Sequence, residues 1–110
     1  MILETAPGAV LIVGSSGTIG RSLAEFFARK QVPLWLTTRH IDAVSQQTLW
    51  LDLAQPALTW QLPDIPLQTA IICAAVTSQK ACQENYGVTY AINVTATVEL
   101  AKRLIDAGVF

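Results

Sequence analysis

Ala9-Val10-Leu11-Ile12-Val13 followed by Gly14-Ser15-Ser16-Gly17-Thr18-Ile19-Gly20 is the stretch on which the fold turns. An unbroken apolar run ending in glycine suits a parallel strand buried on both faces. The glycines at 14, 17 and 20 recur at intervals of three, and beyond them the pattern becomes helical. Over residues 18–30, Ile19, Leu23, Phe26 and Phe27 fall at helical spacing, which predicts an amphipathic helix with those side chains toward a core. Strand, glycine turn and helix in that order open an α/β unit.

Outward from there the alternation repeats. Pro33 stops the helix, and Leu34-Trp35-Leu36-Thr37-Thr38 reads as a second strand. Residues 40–47 are too few for a full crossover helix, so one turn or an irregular link should lead to a third strand at residues 48–51. Pro56, Pro63 and Pro66 mark a loop-rich connection, and residues 69–74 make a fourth strand. The longest helix is expected over residues 84–107, with Val88, Ile92, Thr95, Val98, Leu104 and Ile105 available for a buried stripe. Gly108 sits where a helix cap belongs, and Val109-Phe110 reads as the first step of a fifth strand. The expected fold is a doubly wound α/β domain over residues 1–110, its parallel sheet ordered 3-2-1-4.

Composition narrows the function classes. With 52% apolar and 14% charged residues, the chain has material for a core and is unlike a disordered segment. A net charge of −1 without a basic cluster argues against nucleic acid. No apolar run approaches the ~20 residues of a membrane helix, and Met1-Ile2-Leu3-Glu4 lacks the features of a signal peptide. Cys73 and Cys82 are too few for a disulfide framework, so a soluble, cytoplasmic protein is expected. No spacing suggests a metal site. The single histidine, His40, reads as a rim residue, and Cys82 has no histidine near it to act as a base.

The glycine loop is a variant of the dinucleotide fingerprint. Gly14 permits the tight turn, Gly17 lets backbone approach a pyrophosphate, and Gly20 lets the helix pack closely on the sheet. Backbone N–H groups from Ser16 to Gly20, with the positive end of the helix, would hold the phosphates. A ligand-free strand-to-helix turn is the alternative, which the placement between strand and helix disfavours. About 20 residues beyond such a loop, NAD sites carry an acid for the ribose hydroxyls. Here Arg39 stands nineteen residues after Gly20. A guanidinium suits a 2′-phosphate, which points to NADP rather than NAD. Arg39 as a solvated surface side chain remains the alternative, and Asp42 lies close enough to serve the ribose if the strand runs longer.

These residues resemble a family. The glycine loop, Asp52-Leu53 after strand three, Cys73-Ala74-Ala75 closing strand four and Ile92-Asn93-Val94 in the long helix resemble the extended short-chain dehydrogenase/reductases, NAD(P)-binding Rossmann proteins. Ala74-Ala75-Val76-Thr77-Ser78, Cys82 and Asn93-Val94 look most like the dTDP-4-dehydrorhamnose reductase type of sugar-nucleotide protein. The resemblance implies that Asp52 accepts a hydrogen bond from the adenine amino group, with the Leu53 backbone beside the ring. It implies that Ala74 and Ala75 are small because the cofactor passes over them, and that Val76 and Thr77 lie toward the nicotinamide. Asn93 would be a supporting residue of the active site through backbone and water contacts. For each there is a plainer reading: Asp52 a polar strand end, the alanines sheet packing, Asn93 a structural hydrogen bond.

Family catalysis, on the same resemblance, uses a Ser or Thr after strand five and a Tyr-x-x-x-Lys helix. Here Tyr86 is followed four residues later by Tyr90, and Tyr90 by Val94, so neither makes the motif. No catalytic residue is therefore expected within these residues, which read as the N-terminal, cofactor-binding part of a longer protein, inactive alone. The expected function is the NADP-preferring dinucleotide-binding portion of an oxidoreductase acting on a nucleotide-linked keto-sugar. A non-catalytic NAD(P)-binding regulator or scaffold, or an NAD-dependent sugar-nucleotide epimerase/dehydratase, is the alternative. Without further strands, strand four should be an open edge through which the chain associates with itself.

Overall fold

In the computed structural model, which describes residues 8–75 and 79–109, four parallel strands form one sheet in the order β3-β2-β1-β4. The strands are β1 (Ala9–Val13), β2 (Leu34–Thr38), β3 (Thr48–Trp50) and β4 (Leu67–Ile72). The order is the one the alternation of strands and crossovers implies. β1 lies between β2 and β4, and all five of its residues are buried, as its unbroken apolar run requires. The links on either side of β3 hold only a single 3₁₀ turn each, Ile41–Ala43 and Ala57–Thr59. β4 begins and ends two residues earlier than its apolar run suggests, because Leu67 already pairs with Ala9.

Successive side chains of a strand point to opposite faces. Leu11 and Val13 join Leu51, Leu53, Trp60, Leu100, Leu104 and Val109 in the main core. Val10 and Ile12 therefore face the other side, where α1 (Thr18–Arg29) packs on β1 and β2. The face α1 buries is not the one its large apolar residues suggest. Gly20 is its buried residue, and Leu23, Ala24 and Phe27 continue that stripe at i+3, i+4 and i+7. Ile19 and Phe26 are turned outward, 70% and 44% exposed. The buried residue of this helix has no side chain, so apolar bulk is a poor guide to its inward face.

The C-terminal helical region is built in parts: α2 (Gln79–Glu84), α3 (Tyr86–Tyr90), a π-helical segment (Ala91–Ala96) and α4 (Thr97–Asp106). Asn85, at φ −132° and ψ 60°, separates α2 from α3. The wide turn slows the rotation of side chains along the axis, so Ile92, Ala96, Leu100 and Leu104, each four apart, share the core. A stripe read at 3.6 residues per turn goes astray here. Val88, Thr95, Val98 and Ile105 are exposed, and Leu100, absent from that stripe, is fully buried.

Both long helices close with the same cap. After α4, the Gly108 N–H donates to Ile105 O at 2.9 Å and the Val109 N–H to Leu104 O at 2.9 Å, with Gly108 at φ +81°. This is a Schellman motif whose apolar contact is between Leu104 and Val109, both in the core. Val109 thus completes a helix cap and starts no strand, and Phe110 lies outside the described residues. After α1, the Gln31 N–H donates to Ala28 O and the Val32 N–H to Phe27 O, which puts Gln31 at φ +58°. A side chain in that conformation costs about 1–2 kcal/mol, partly offset by the entropy a glycine would lose. Gln31→Gly is therefore expected to raise stability by about 0.5–1 kcal/mol, measured as a higher urea midpoint at unchanged slope.

Candidate functional site: a cleft at the carboxyl ends of the strands

The strand order reverses between β1 and β4, and at such a switch point an open α/β sheet leaves a crevice beyond its carboxyl ends. A cleft of about 590 Å³ occupies this position. Gly14, Ser16 and Gly17 line its floor; Thr38, Arg39 and His40 come from the end of β2, and residues 51–54 from the end of β3. Cys73, Ala74 and Ala75 line it from the end of β4, with Ile92 from the π-helical segment.

The floor is held by the end of β2. Thr37 and Thr38 are buried polar residues, 0% and 1% exposed. Thr37 O accepts from the Gly14 N–H (3.2 Å), the Ser15 N–H (2.9 Å) and the Ser15 hydroxyl (3.1 Å), while Thr37 Oγ1 also receives the Gly14 N–H (3.2 Å). One residue on, the Thr38 and Ser16 hydroxyls are 2.8 Å apart and bonded, and the His40 N–H donates to Thr38 Oγ1 at 3.1 Å. The glycine loop is thus bolted to the end of the strand that Arg39 follows. Two adjacent threonines ending an otherwise apolar strand were the available signal for this role.

Gly14 adopts φ +89°, and a Cβ there would stand 2.7 Å from Ala74 N. A Cβ on Gly20 would overlap Gly14 O, so that glycine is what lets α1 start against the loop. At Gly17 a Cβ would meet only Gly14 O, at 3.9 Å, so the backbone there adjoins open space. The first helical bond of α1 runs from the Arg21 N–H to Gly17 O (2.9 Å), no described side chain caps the helix, and its first turn holds no acid. The N–H groups and positive end of this helix are available to an anion, and the donor set fits a pyrophosphate.

Thr18, Ile19 and Gly20 form the first turn of α1 rather than a wall of the cleft, with the Ile19 side chain in solvent. Arg39 is exposed on the rim, and its carbonyl accepts from the Trp50 indole N–H at 3.2 Å. Asp42 belongs to the 3₁₀ turn beyond β2 and does not line the cleft. Asp52 Oδ1 accepts from the Ala54 N–H (2.9 Å), a turn that leaves its second oxygen without a donor among the described residues. Asn93 lies in the π-helical segment beside Ile92 but is not a lining residue, and Val76 falls outside the described residues. Burial pushes the Cys73 thiol above its ordinary range, so at neutral pH it lines the cleft as a neutral group. Sequence reading alone did not place Thr38, Leu51, Ala54 or Ile92 in this site. Among the described residues there is no group of metal-ligating side chains, and no helix long and apolar enough to cross a membrane.

A fold of this order with a glycine-floored cleft at its switch point defines a dinucleotide-binding α/β protein. Residues 10–110 match the family described as NAD dependent epimerase/dehydratase, and the chain belongs to that family. No curated protein sequence matches it significantly. Similar solved structures include the UDP-glucose 4-epimerase of Thermus thermophilus in complex with NAD (17% identity, TM-score 0.70, 92% of this chain and 35% of that one). Another UDP-glucose 4-epimerase is 19% identical with a TM-score of 0.72, over 92% of this chain and 33% of that one. A short-chain dehydrogenase/reductase superfamily protein from Agrobacterium tumefaciens with bound NAD is 18% identical with a TM-score of 0.68, over 92% and 30%. At these identities the likeness is one of fold, and the chain spans about a third of the length of those structures.

Proposed function

We propose that residues 1–110 are the dinucleotide-binding portion of a cytoplasmic oxidoreductase acting on a nucleotide-linked keto-sugar, with NADP preferred to NAD. The observation that carries the reading is the juxtaposition in one cleft of the glycine loop, Arg39 and residues 51–54. On this reading the pyrophosphate lies at the start of α1, the adenosine extends toward β2 and β3, and the nicotinamide extends toward Ala74 and Ala75. The nicotinamide group supplies hydride chemistry when bound. This chain's own residues bind and orient it: the N–H groups of residues 16–20 take the phosphate charge, and Arg39 takes the 2′-phosphate. The resemblance to dTDP-4-dehydrorhamnose reductases supports a reductase. An NAD-dependent epimerase or dehydratase is the second reading, favoured by the description of the family.

Calorimetry with NADP and NAD tests the preference. NADP is expected to bind more tightly, and Arg39→Ala to lose about 1.5–3 kcal/mol of NADP affinity, roughly ten- to a hundredfold in Kd, with NAD unaffected. Equal or tighter NAD binding by the unaltered chain favours the second reading.

A further inference from the structure

Residues 52–54 form the wall of the cleft against which the adenosine rests in the reading above, and this inference rests on that reading. That wall follows β3, a strand of only three residues at one edge of the sheet, so β3 alone holds it weakly. Two residues outside the cleft hold it further. Trp60 is buried, and its indole N–H is shared between Asp52 O (2.9 Å) and Gln55 O (3.2 Å), which ties the first residue of the segment to the residue that follows it. Arg103, on α4, donates from Nη1 to Ala57 O at 3.2 Å and places its guanidinium 5.6 Å from the centre of the Trp60 ring. Glu99, one turn earlier, receives Arg103 Nε at 3.2 Å and steadies it.

We infer that Trp60 and Arg103 are positioning residues for the adenosine end of the cleft, linking α4 to the wall at residues 52–54. Neither lines the cleft. The indole shares the Asp52 carbonyl with the Gln55 N–H (3.0 Å) and braces from the core side the turn that presents the Leu53 N–H and the Asp52 side chain. Arg103 keeps the indole in place through a cation over its ring and a hydrogen bond to a backbone carbonyl. The glycine loop is held separately, by Thr37 and Thr38, and depends on neither residue.

That separation supplies the test. AMP probes the adenosine wall together with the loop, whereas inorganic pyrophosphate probes the loop alone. NMR titration of the 110-residue chain with each, in Trp60→Phe, Arg103→Met and Arg103→Lys, reads the two ends independently. Trp60→Phe and Arg103→Met are expected to weaken AMP about tenfold and leave pyrophosphate within twofold. Arg103→Lys keeps a donor and a cation, and should recover part of the loss. AMP binding unchanged in both variants, or AMP and pyrophosphate weakened alike, overturns the inference. An unaltered chain that binds pyrophosphate but not AMP, or neither, overturns the dinucleotide reading and this inference with it. Should Trp60→Phe fail to fold, the two Arg103 variants decide.

Discussion

Alanine at position 20 is expected to destabilise the chain by about 3 kcal/mol or more, and alanine at position 14 by a similar amount. At Gly20 the new methyl would enter the carbonyl of Gly14 and stand 3.0 Å from Ser15 Cα. Both neighbours are backbone and cannot turn aside as a side chain would. Relief requires α1 to lift from β1, which exposes Leu23 and Phe27 and spoils the start of the helix. At Gly14 two costs add: a conformation that disfavours any side chain, and overlap with the Ala74 backbone at 2.7–2.8 Å. Because domains of this size are stable by about 5–15 kcal/mol, either change removes a large share. Urea unfolding should show midpoints lowered by about 1–3 M at unchanged slope. Gly87→Ala is the control, since a Cβ there meets nothing within 4 Å and the residue is in α3. It should be neutral or stabilising by up to about 1 kcal/mol. If Gly20→Ala unfolds at the same urea concentration as Gly87→Ala, the contact between α1 and the glycine loop is looser than described.

The contrast between these glycines also shows what the sequence makes readable. Sheet order was legible because parallel neighbours need crossovers, and the apolar runs at β1, β2 and β4 are separated by links of the required kind. Much of the cleft was legible for a related reason: the carboxyl ends of parallel strands converge, so Gly14, Arg39, Asp52 and Ala74 meet although far apart in sequence. Helix faces were less legible. Gly20 has no hydrophobicity to register, and the wide turn at Ala91–Ala96 shifts the phase of every residue after it. Least legible were the supports. Arg103 reaches Ala57 across 46 positions, and no periodicity or motif announces such a contact.

On its own, the 110-residue chain is expected to associate with itself through the side of β4 that no described strand pairs with. β4 ends the order β3-β2-β1-β4, and an unpaired strand side is a row of donors and acceptors ready for another chain. The opposite edge is treated differently. Beyond β3, the Gln61 N–H donates to Trp50 O at 3.2 Å and the Trp50 N–H to Gln61 Oε1 at 3.4 Å, which occupies part of that side. Ile71-Ile72-Cys73 carries no Lys, Pro or Gly to discourage pairing. Beside β4 lies an apolar groove of about 190 Å³ between Ala70, Ile72, Leu104 and Ile105, so a paired strand would also bury hydrophobic surface. Light scattering over a concentration series should show the mass rising above the 11.9 kDa of one chain. Ile105→Lys places a charge on the groove at a residue already 67% exposed, at a stability cost of about 0.5 kcal/mol or less. It is expected to shift association to at least tenfold higher concentration while the urea midpoint stays in place. A single-chain mass at every concentration would show that the edge is not used, and association unchanged by Ile105→Lys would place the contact elsewhere on the molecule.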